Sequence, residues 1–261
     1  MRRKHINKKE LLNKISINKL IPNIITLSSL FVGLTQIKFA LVGKWEFAVV
    51  TVLISAILDA SDGRLARLLN SCSRFGAELD SIADFAAFGI GPAITLYLYS
   101  LSNLNRIGWI SSVFFIICMG LRLARFNTHD IENIKTPLSG QFFTGVPAPA
   151  GALLAEFPII LYNAFEIDVF KNPYLCLINV IIVGLLCIST LPTLSIKKAH
   201  IKREQYNTFF LLIIISVSMI FIFTWKALSI LIVMYIISIF TCYKKAKLIL
   251  KNVNTNDVTQ Y

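Results

Sequence analysis

Long apolar segments alternate with short polar ones along almost the whole chain. A helix that spans a bilayer needs about 20 predominantly apolar residues, and several of the segments approach that length. Pro22 fits the first turn of the first helix, where its missing N–H leaves no bond unmade. The alternation predicts eight membrane-spanning helices, at 20–37, 45–61, 82–100, 107–122, 145–163, 174–192, 208–224 and 227–243.

The composition supports a membrane protein organised as one main domain. Of the 261 residues, 56% are hydrophobic, whereas soluble domains average about 45–50%. The sequence therefore predicts an all-α fold, a polytopic transmembrane helical bundle. The longest internal polar stretch, 123–144, is expected to be a cytoplasmic loop. We expect four parts: a basic interfacial segment at 1–19, the membrane domain at 20–207, a helical hairpin at 208–243, and a basic then polar tail at 244–261.

Basic residues concentrate on one side of the predicted topology. With a cytoplasmic N-terminus, 21 of the 26 Lys and Arg residues fall in cytoplasmic segments, and the other five are Lys38, Lys44, Arg106, Lys171 and Lys226. Cytoplasmic segments of membrane proteins carry such an excess, so we expect both termini in the cytoplasm. The net charge of +12 then orients the protein and favours an anionic lipid surface. It does not indicate nucleic-acid binding.

Four aspartates interrupt the apolar pattern between the second and third predicted helices. Asp59 and Asp62 are spaced i, i+3, and Asp80 and Asp84 are spaced i, i+4, so each pair lies on one helical face. Four converging carboxylates repel one another unless a positive charge lies between them. Hard divalent cations prefer oxygen ligands. The sequence therefore predicts one or two divalent ions at this place.

Small residues and an arginine share a face with the first aspartate pair. At about 100° per residue, four residues fall within an arc of roughly 100°, with Arg67 at its edge: Asp59, Asp62, Gly63 and Ala66. Residues with little or no side chain let a flat ligand approach the helix backbone closely. An arginine binds phosphate oxygens by charge-assisted hydrogen bonds. This face is typical of a site for a metal-bound pyrophosphate.

Two other interpretations of the aspartates fit the pattern less well. An arginine of the same helix, Arg64 or Arg67, could form a structural ion pair with one of them. Membrane carboxylates also serve cation transport. Ion pairing, however, does not require small residues in register with the carboxylates, and transport needs carboxylates along a path across the membrane. These aspartates gather at one predicted cytoplasmic boundary instead.

The segment from Asp59 to Asp84 contains all eight specified positions of the pattern D-x2-D-G-x2-A-R-x8-G-x3-D-x3-D. Here the chain resembles the CDP-alcohol phosphatidyltransferase family. The resemblance implies that two divalent cations, Mg²⁺ or Mn²⁺, are held against the pyrophosphate of a CDP-linked lipid. It also implies that Asp84 is the catalytic general base. The metal ligands would be Asp59, Asp62, Asp80 and Asp84.

The nucleotide is expected to lie beside the cations. The first predicted helix begins with PNIIT at 22–26, which resembles the P-N-x-x-T start of that helix in the family. Together with the small residues and the arginine of the aspartate segment, this resemblance implies a set of CDP-binding residues: Asn23, Thr26, Gly63, Ala66, Arg67 and Gly76.

Two later segments narrow the choice of acceptor. GLRLARFN at 120–127 and FFTGVPAPAGA at 142–152 resemble stretches of the bacterial, membrane-integral family members that use L-serine. The resemblance implies that CDP-diacylglycerol and serine are the substrates, at the cytoplasmic face of the inner membrane, in a homodimer. Related enzymes that use glycerol 3-phosphate, inositol phosphate or choline are the nearest alternative. A phosphorylated acceptor would need a further cluster of basic residues.

Arg122 and Arg125 are spaced i, i+3 at the cytoplasmic end of the fourth predicted helix, where they are well placed to bind an anion. One hypothesis is that one of them binds the serine carboxylate. The alternative is that both anchor the helix at the membrane surface or pair with lipid phosphate.

Overall fold

The computed structural model describes residues 17–69, 71–132, 142–189, 192–194 and 224–258. The predicted all-α class is confirmed for these residues, with the addition of one pair of short antiparallel strands, β1 (Phe142–Thr144) and β2 (Pro192–Leu194). The helices, in chain order, are α1 (Ile17–Leu41), α2 (Trp45–Leu68), α3 (Arg74–Asp84), α4 (Gly91–Tyr99), α5 (Asn105–Glu132), α6 (Ala148–Ala155), α7 (Phe157–Phe165), α8 (Pro173–Ile188) and α9 (Thr224–Val258).

Within the described ranges, three helical stretches are long and apolar enough to cross a membrane: Leu20–Leu41, Arg74–Tyr99 and Leu101–Thr128. A fourth results if α6 and α7, which are bent by 51° relative to each other, count as one span. These helices indicate an integral membrane protein. α2, α8 and α9 coincide with further predicted spans, whereas 208–223 lies outside the described residues. The total of eight spans therefore stays a prediction.

The outer surface of the bundle is apolar. Side chains such as Ile24, Phe31, Ile57, Ile117 and Ile178 are each more than half exposed. Soluble monomers rarely expose large contiguous apolar patches, so this surface is typical of one that lipid covers. The interior is closed by fully buried side chains from several helices, among them Phe88, Phe115, Met119 and Ile159.

Small and hydroxyl side chains bring α1 and α2 close together. The hydroxyls of Ser29 and Ser55 are 2.9 Å apart, and each also lies within hydrogen-bonding distance of the other residue's carbonyl. Gly33 of α1 faces Ala87 so closely that a Cβ on the glycine would collide with it. Such residues allow helix backbones in a membrane to approach each other. α1 therefore packs closely against both α2 and the segment that follows α3.

Several helices extend beyond the apolar spans predicted for them. α1 begins at Ile17, so Pro22 lies inside the helix rather than in its first turn. α5 continues to Glu132, so the first part of the predicted loop at 123–144 is helical. α9 continues to Val258, beyond the predicted end at 243. The physical reason is shared: hydropathy marks where a helix leaves the lipid, whereas its backbone hydrogen bonds can continue into water.

Candidate active site

The ends of α1, α2 and α3 enclose a cleft of about 400 Å³. α2 extends through Arg67 to Leu68, so the aspartate pair and Arg67 lie on one continuous helix, as their predicted shared face requires. Its end is closed by two backbone hydrogen bonds, from Leu69 N–H to the Leu65 carbonyl and from Ser71 N–H to the Ala66 carbonyl. The chain then turns into α3 at Arg74. This short turn brings the two pairs of aspartates to face each other.

A capping serine fixes the start of α3. Ser73 has an extended backbone, and its Oγ accepts a hydrogen bond from Gly76 N–H at 3.0 Å, as is usual for an N-cap residue. A Cβ on Gly76 would lie only 3.2 Å from Asn23 Oδ1 and from Ser73 Oγ. The glycine therefore lets the first turn of α3 approach α1. Sequence reasoning missed Ser73, although a serine just before a helix is a known N-cap signal.

Three of the four aspartates form a compact group of carboxylates. One oxygen each of Asp59, Asp62 and Asp80 lies within 4.8 Å of the others. A Mg²⁺ ion binds oxygen at about 2.0–2.1 Å, so two ligands on opposite sides of it are about 4 Å apart. The donor atoms therefore have the chemistry that a divalent cation requires, at a separation close to that of its ligands.

Asp62 is the most enclosed member of this group. It is 4% exposed, and the hydroxyl of Thr26 on α1 donates to its Oδ2 at 2.6 Å. Burial raises the pKa of the Asp62 carboxyl above its usual range, and the hydrogen bond from Thr26 opposes this rise. Thr26, predicted as a nucleotide-binding residue, thus also holds a predicted metal ligand.

Asp84 joins the group through Asp59. The two carboxyl groups are in hydrogen-bonding contact. Two carboxylates in such contact can both remain ionised only if a cation lies between them, and otherwise they share a proton. The charge of Arg122, on α5, also acts on both. The structure therefore brings all four aspartates together at one end of the helices.

The cleft is lined by all six residues predicted to bind the nucleotide: Asn23, Thr26, Gly63, Ala66, Arg67 and Gly76. Asp62 and Asp80 lie at its acidic side. A Cβ built on Gly63 would meet no atom within 4 Å, so the surface of α2 at this point is open to a ligand. Arg67 Nε donates to the Gly63 carbonyl at 3.0 Å, which holds the guanidinium along the same face.

The two predicted serine-binding arginines occupy different surroundings. Arg122 Nε donates to the Val146 carbonyl, which links α5 to the segment before α6. Arg125 donates to the carbonyls of Ile188 and Ser189 at the end of α8, and a cation is stabilising at such a helix C-terminus. Arg122 thus lies close to the aspartates, whereas the guanidinium of Arg125 is bound to backbone oxygens.

Comparison with protein families matches residues 19–191 to the family described as CDP-alcohol phosphatidyltransferase. Curated relatives share the name CDP-diacylglycerol–serine O-phosphatidyltransferase. One from Helicobacter pylori is 36% identical over 219 residues, which cover 84% of this chain and 88% of the relative. One from Mycobacterium leprae is 37% identical, covering 70% of this chain and 59% of the relative. A Bacillus subtilis protein is 36% identical, covering 55% and 77%.

Proposed function

The chain belongs to the CDP-alcohol phosphatidyltransferase family, and we propose that it transfers the phosphatidyl group of CDP-diacylglycerol to the hydroxyl of L-serine. The products are phosphatidylserine and CMP. The strongest support is that the aspartates lie together beside a cleft. The residues expected to bind the nucleotide line that cleft. The names of the H. pylori, M. leprae and B. subtilis relatives favour serine as the acceptor.

In this proposal the four aspartates would hold two divalent cations, Mg²⁺ or Mn²⁺. Bound cations would neutralise the pyrophosphate and stabilise the charge on the departing CMP. The spacing of Asp59, Asp62 and Asp80 and the contact between Asp59 and Asp84 fit this role. Without a positive charge among them, four ionised carboxylates this close would repel one another strongly.

The cleft would hold the cytidine and its phosphates. Gly63 leaves the α2 surface open, so a flat ligand can lie against the backbone there. Ala66 and Gly76 continue the same smooth surface, Asn23 offers an amide beside Gly76, and Arg67 offers a guanidinium to a phosphate oxygen. Thr26 orients Asp62 at the border between the nucleotide and the cations.

Asp84 would act as the general base. The serine hydroxyl gives its proton to the Asp84 carboxylate while its oxygen forms a bond to the phosphorus of the phosphatidyl group. The bond from that phosphorus to the CMP oxygen breaks, and CMP leaves. The charge of Arg122 acts on Asp84, and Asp84 is not among the residues that line the cleft, so the acceptor would enter from the side of Arg122.

We assign the serine carboxylate to Arg122, because its charge already lies close to the acidic group. A guanidinium binds a carboxylate through a rigid fork of N–H donors, and Arg122 uses only Nε in its bond to Val146. Arg125 would contribute by holding the end of α8 beside Arg122.

The membrane arrangement is part of the proposal. Eight spans, with both termini and the active site in the cytoplasm of a bacterial inner membrane, agree with the distribution of 21 of the 26 basic residues. CDP-diacylglycerol would then enter from the inner leaflet, with its nucleotide in the cleft, and a homodimer would be the active assembly. Labelling single introduced cysteines from either side of sealed vesicles tests this topology. If the cysteine of an Arg67→Cys variant is labelled from the extracellular side, the topology is contradicted.

An acceptor panel tests the function. Purified protein with CDP-diacylglycerol and Mg²⁺ or Mn²⁺ is offered serine, glycerol 3-phosphate, inositol phosphate, inositol or choline, and CMP and the lipid product are measured. We expect that, of these acceptors, only serine reacts, and that it gives CMP and phosphatidylserine in equal amounts. Equal or faster transfer to another acceptor would overturn the assignment of serine while leaving the family chemistry in place.

A further inference from the structure

The helix widens into a π-helical turn, Phe85–Ile90, directly after Asp84. Within this turn Gly91 N–H donates to the carbonyl of Ala86, five residues back. The next donor in the same pattern would be residue 92, paired with the Ala87 carbonyl. Residue 92 is a proline, which has no N–H. The Ala87 carbonyl therefore lacks the donor that this pattern would supply.

Gln36 of α1 supplies a donor to that carbonyl. Its Nε2 lies 2.8 Å from the Ala87 oxygen and also donates to the Gly33 carbonyl of its own helix. Gln36 is fully buried, and among the described residues its Oε1 has no hydrogen-bond partner. Burying an amide with an unmade bond costs free energy. A side chain kept for packing alone would avoid that cost, so the donor group is the feature that needs explanation.

Two glycines make room for this link. A Cβ on Gly91 would overlap the carboxamide of Gln36, and a Cβ on Gly33 would collide with Ala87. The carboxamide is therefore enclosed between α1 and the π turn, with space for little else. The link is built from residues on both sides rather than being a chance contact of one long side chain.

The π turn determines which way the aspartates face. One extra residue in a helix rotates everything beyond it by about 100° relative to a continuous α-helix. On the far side of the turn, α4 is fixed in the core by buried residues such as Ala93 and Leu96. The extra residue therefore rotates α3, which carries Asp80 and Asp84, relative to the fixed α4.

We propose that Gln36 is a positioning residue for Asp84: its carboxamide holds the π turn in place and thereby sets the direction in which Asp84 meets Asp59. This inference rests on the proposed function for the role of Asp84, but not for the geometry of the link. Gln36 is not among the residues that line the cleft, and its Nε2 donates to backbone carbonyls, so it acts through the backbone of the turn.

The test compares two amides that make the same kind of bonds, Gln36, which is fully buried, and Asn179, which is half-buried. Gln36→Met keeps the length of the side chain and removes the donor. The matched control is Asn179→Leu, because Asn179 Nδ2 also donates to two backbone carbonyls, those of Leu154 and Ala155, at the break between α6 and α7. Both variants lose two hydrogen bonds to main-chain oxygens, and only Gln36→Met loses one to the π turn that follows Asp84.

Two readouts are measured on the full-length protein in detergent or lipid. The first is kcat and KM with CDP-diacylglycerol and serine. For Gln36→Met we expect kcat to fall at least about tenfold, with KM for CDP-diacylglycerol changed less than about threefold, because the cleft lining is intact. The second is Mn²⁺ affinity without substrate, followed by the electron paramagnetic resonance signal of free Mn²⁺. We expect it to weaken at least about threefold, whereas Asn179→Leu changes neither readout beyond about twofold.

The outcomes separate the inference from the proposed function. If Gln36→Met keeps wild-type kcat and Mn²⁺ affinity, or if Asn179→Leu loses both equally, the positioning role is wrong. If the wild type transfers nothing to serine, the proposed function fails, and the difference in Mn²⁺ affinity still tests the link. Should Gln36→Met not fold, Gln36→Asn takes its place, since it keeps an amide but shortens its reach to Ala87, and the same two criteria apply.

Discussion

Carboxyl groups lie in two contrasting regions of this molecule. At the cleft, Asp59, Asp62 and Asp80 bring their oxygens within 4.8 Å of one another, beside open space and an arginine. At the break between α6 and α7, Glu156 is fully buried and alone, and neither of its oxygens has a hydrogen-bond partner among the described residues. The first region gathers negative charge, and the second isolates a single acid.

The difference shows what a functional carboxylate needs in a membrane protein. A solitary carboxyl in an apolar interior avoids the cost of its charge by staying neutral. A group of carboxylates that faces a cleft can stay ionised once cations enter. Burial alone therefore does not identify a site; convergence, access and neighbouring small residues do. The variants below change one region and leave the other as the reference.

The largest effect is expected from Asp84→Asn. Removing the general base should lower kcat by about 10²–10⁴-fold, the usual contribution of such a group. Binding of CDP-diacylglycerol should be retained better than in Asp59→Asn, because Asp59 belongs to the compact group of ligands. Single-turnover CMP release and equilibrium binding of the nucleotide lipid check this. An Asp84→Asn protein with near wild-type turnover would remove Asp84 from the role of base.

Gly63→Val should come next. A Cβ at this position meets no protein atom within 4 Å, so we expect the fold to be retained. The added methyl groups would occupy the cleft and raise KM for CDP-diacylglycerol by about tenfold or more, equivalent to about 1.4 kcal/mol of lost binding. Ala60→Val, on the exposed side of the same helix, serves as the control. Unchanged KM in both would show that the nucleotide lies elsewhere.

Arg122→Gln should affect serine more than the lipid substrate. A hydrogen bond between charged groups contributes about 1.5–3 kcal/mol, so KM for serine should rise about 10–100-fold. In Arg125→Gln the hydrogen bonds to Ile188 and Ser189 are lost, and we expect mainly a lower unfolding temperature. Initial rates over a range of serine concentrations distinguish the two. A larger rise in serine KM for Arg125→Gln would reverse the assignment.

The smallest effect is expected from Glu156→Gln. The two side chains have almost the same shape, and a neutral acid replaced by an amide changes little in a site without partners. Activity should stay within about twofold, and the unfolding temperature within about 4 °C, the shift that about 1 kcal/mol produces in a protein of this size. A loss of activity comparable to that of the aspartate variants would mean that Glu156 takes part in the reaction.

Much of the site was predictable because its chemistry depends on short-range spacing. Asp59, Asp62, Gly63 and Ala66 share a face by helical periodicity alone, and the structure keeps α2 helical through them. The contact between Asp59 and Asp84 depends on the turn that folds α3 back, which spacing does not determine.

Other features depend on tertiary packing that a single sequence does not reveal. In the sequence, Gln36 is a polar residue in an otherwise apolar helix. Its hydrogen bond to the Ala87 carbonyl is explained only by the structure, in which Pro92 has no N–H to offer that carbonyl. Arg122 and Arg125 look equivalent in the sequence, yet their partners come from residues more than 20 positions away. α5 and α9 end later than the hydropathy pattern suggests, because a helix can continue through polar residues.

Transfer of labelled serine into lipid tests the central claim most directly. Asp59→Asn, Asp62→Asn and Asp80→Asn are compared with Glu156→Gln, so that every variant exchanges one carboxyl group for an amide. With CDP-diacylglycerol and Mg²⁺ or Mn²⁺ present, the account predicts that the three cleft variants lose at least about 99% of the phosphatidylserine formed by the wild type, while Glu156→Gln keeps at least about half. Serine transfer that survives in the cleft variants would contradict it.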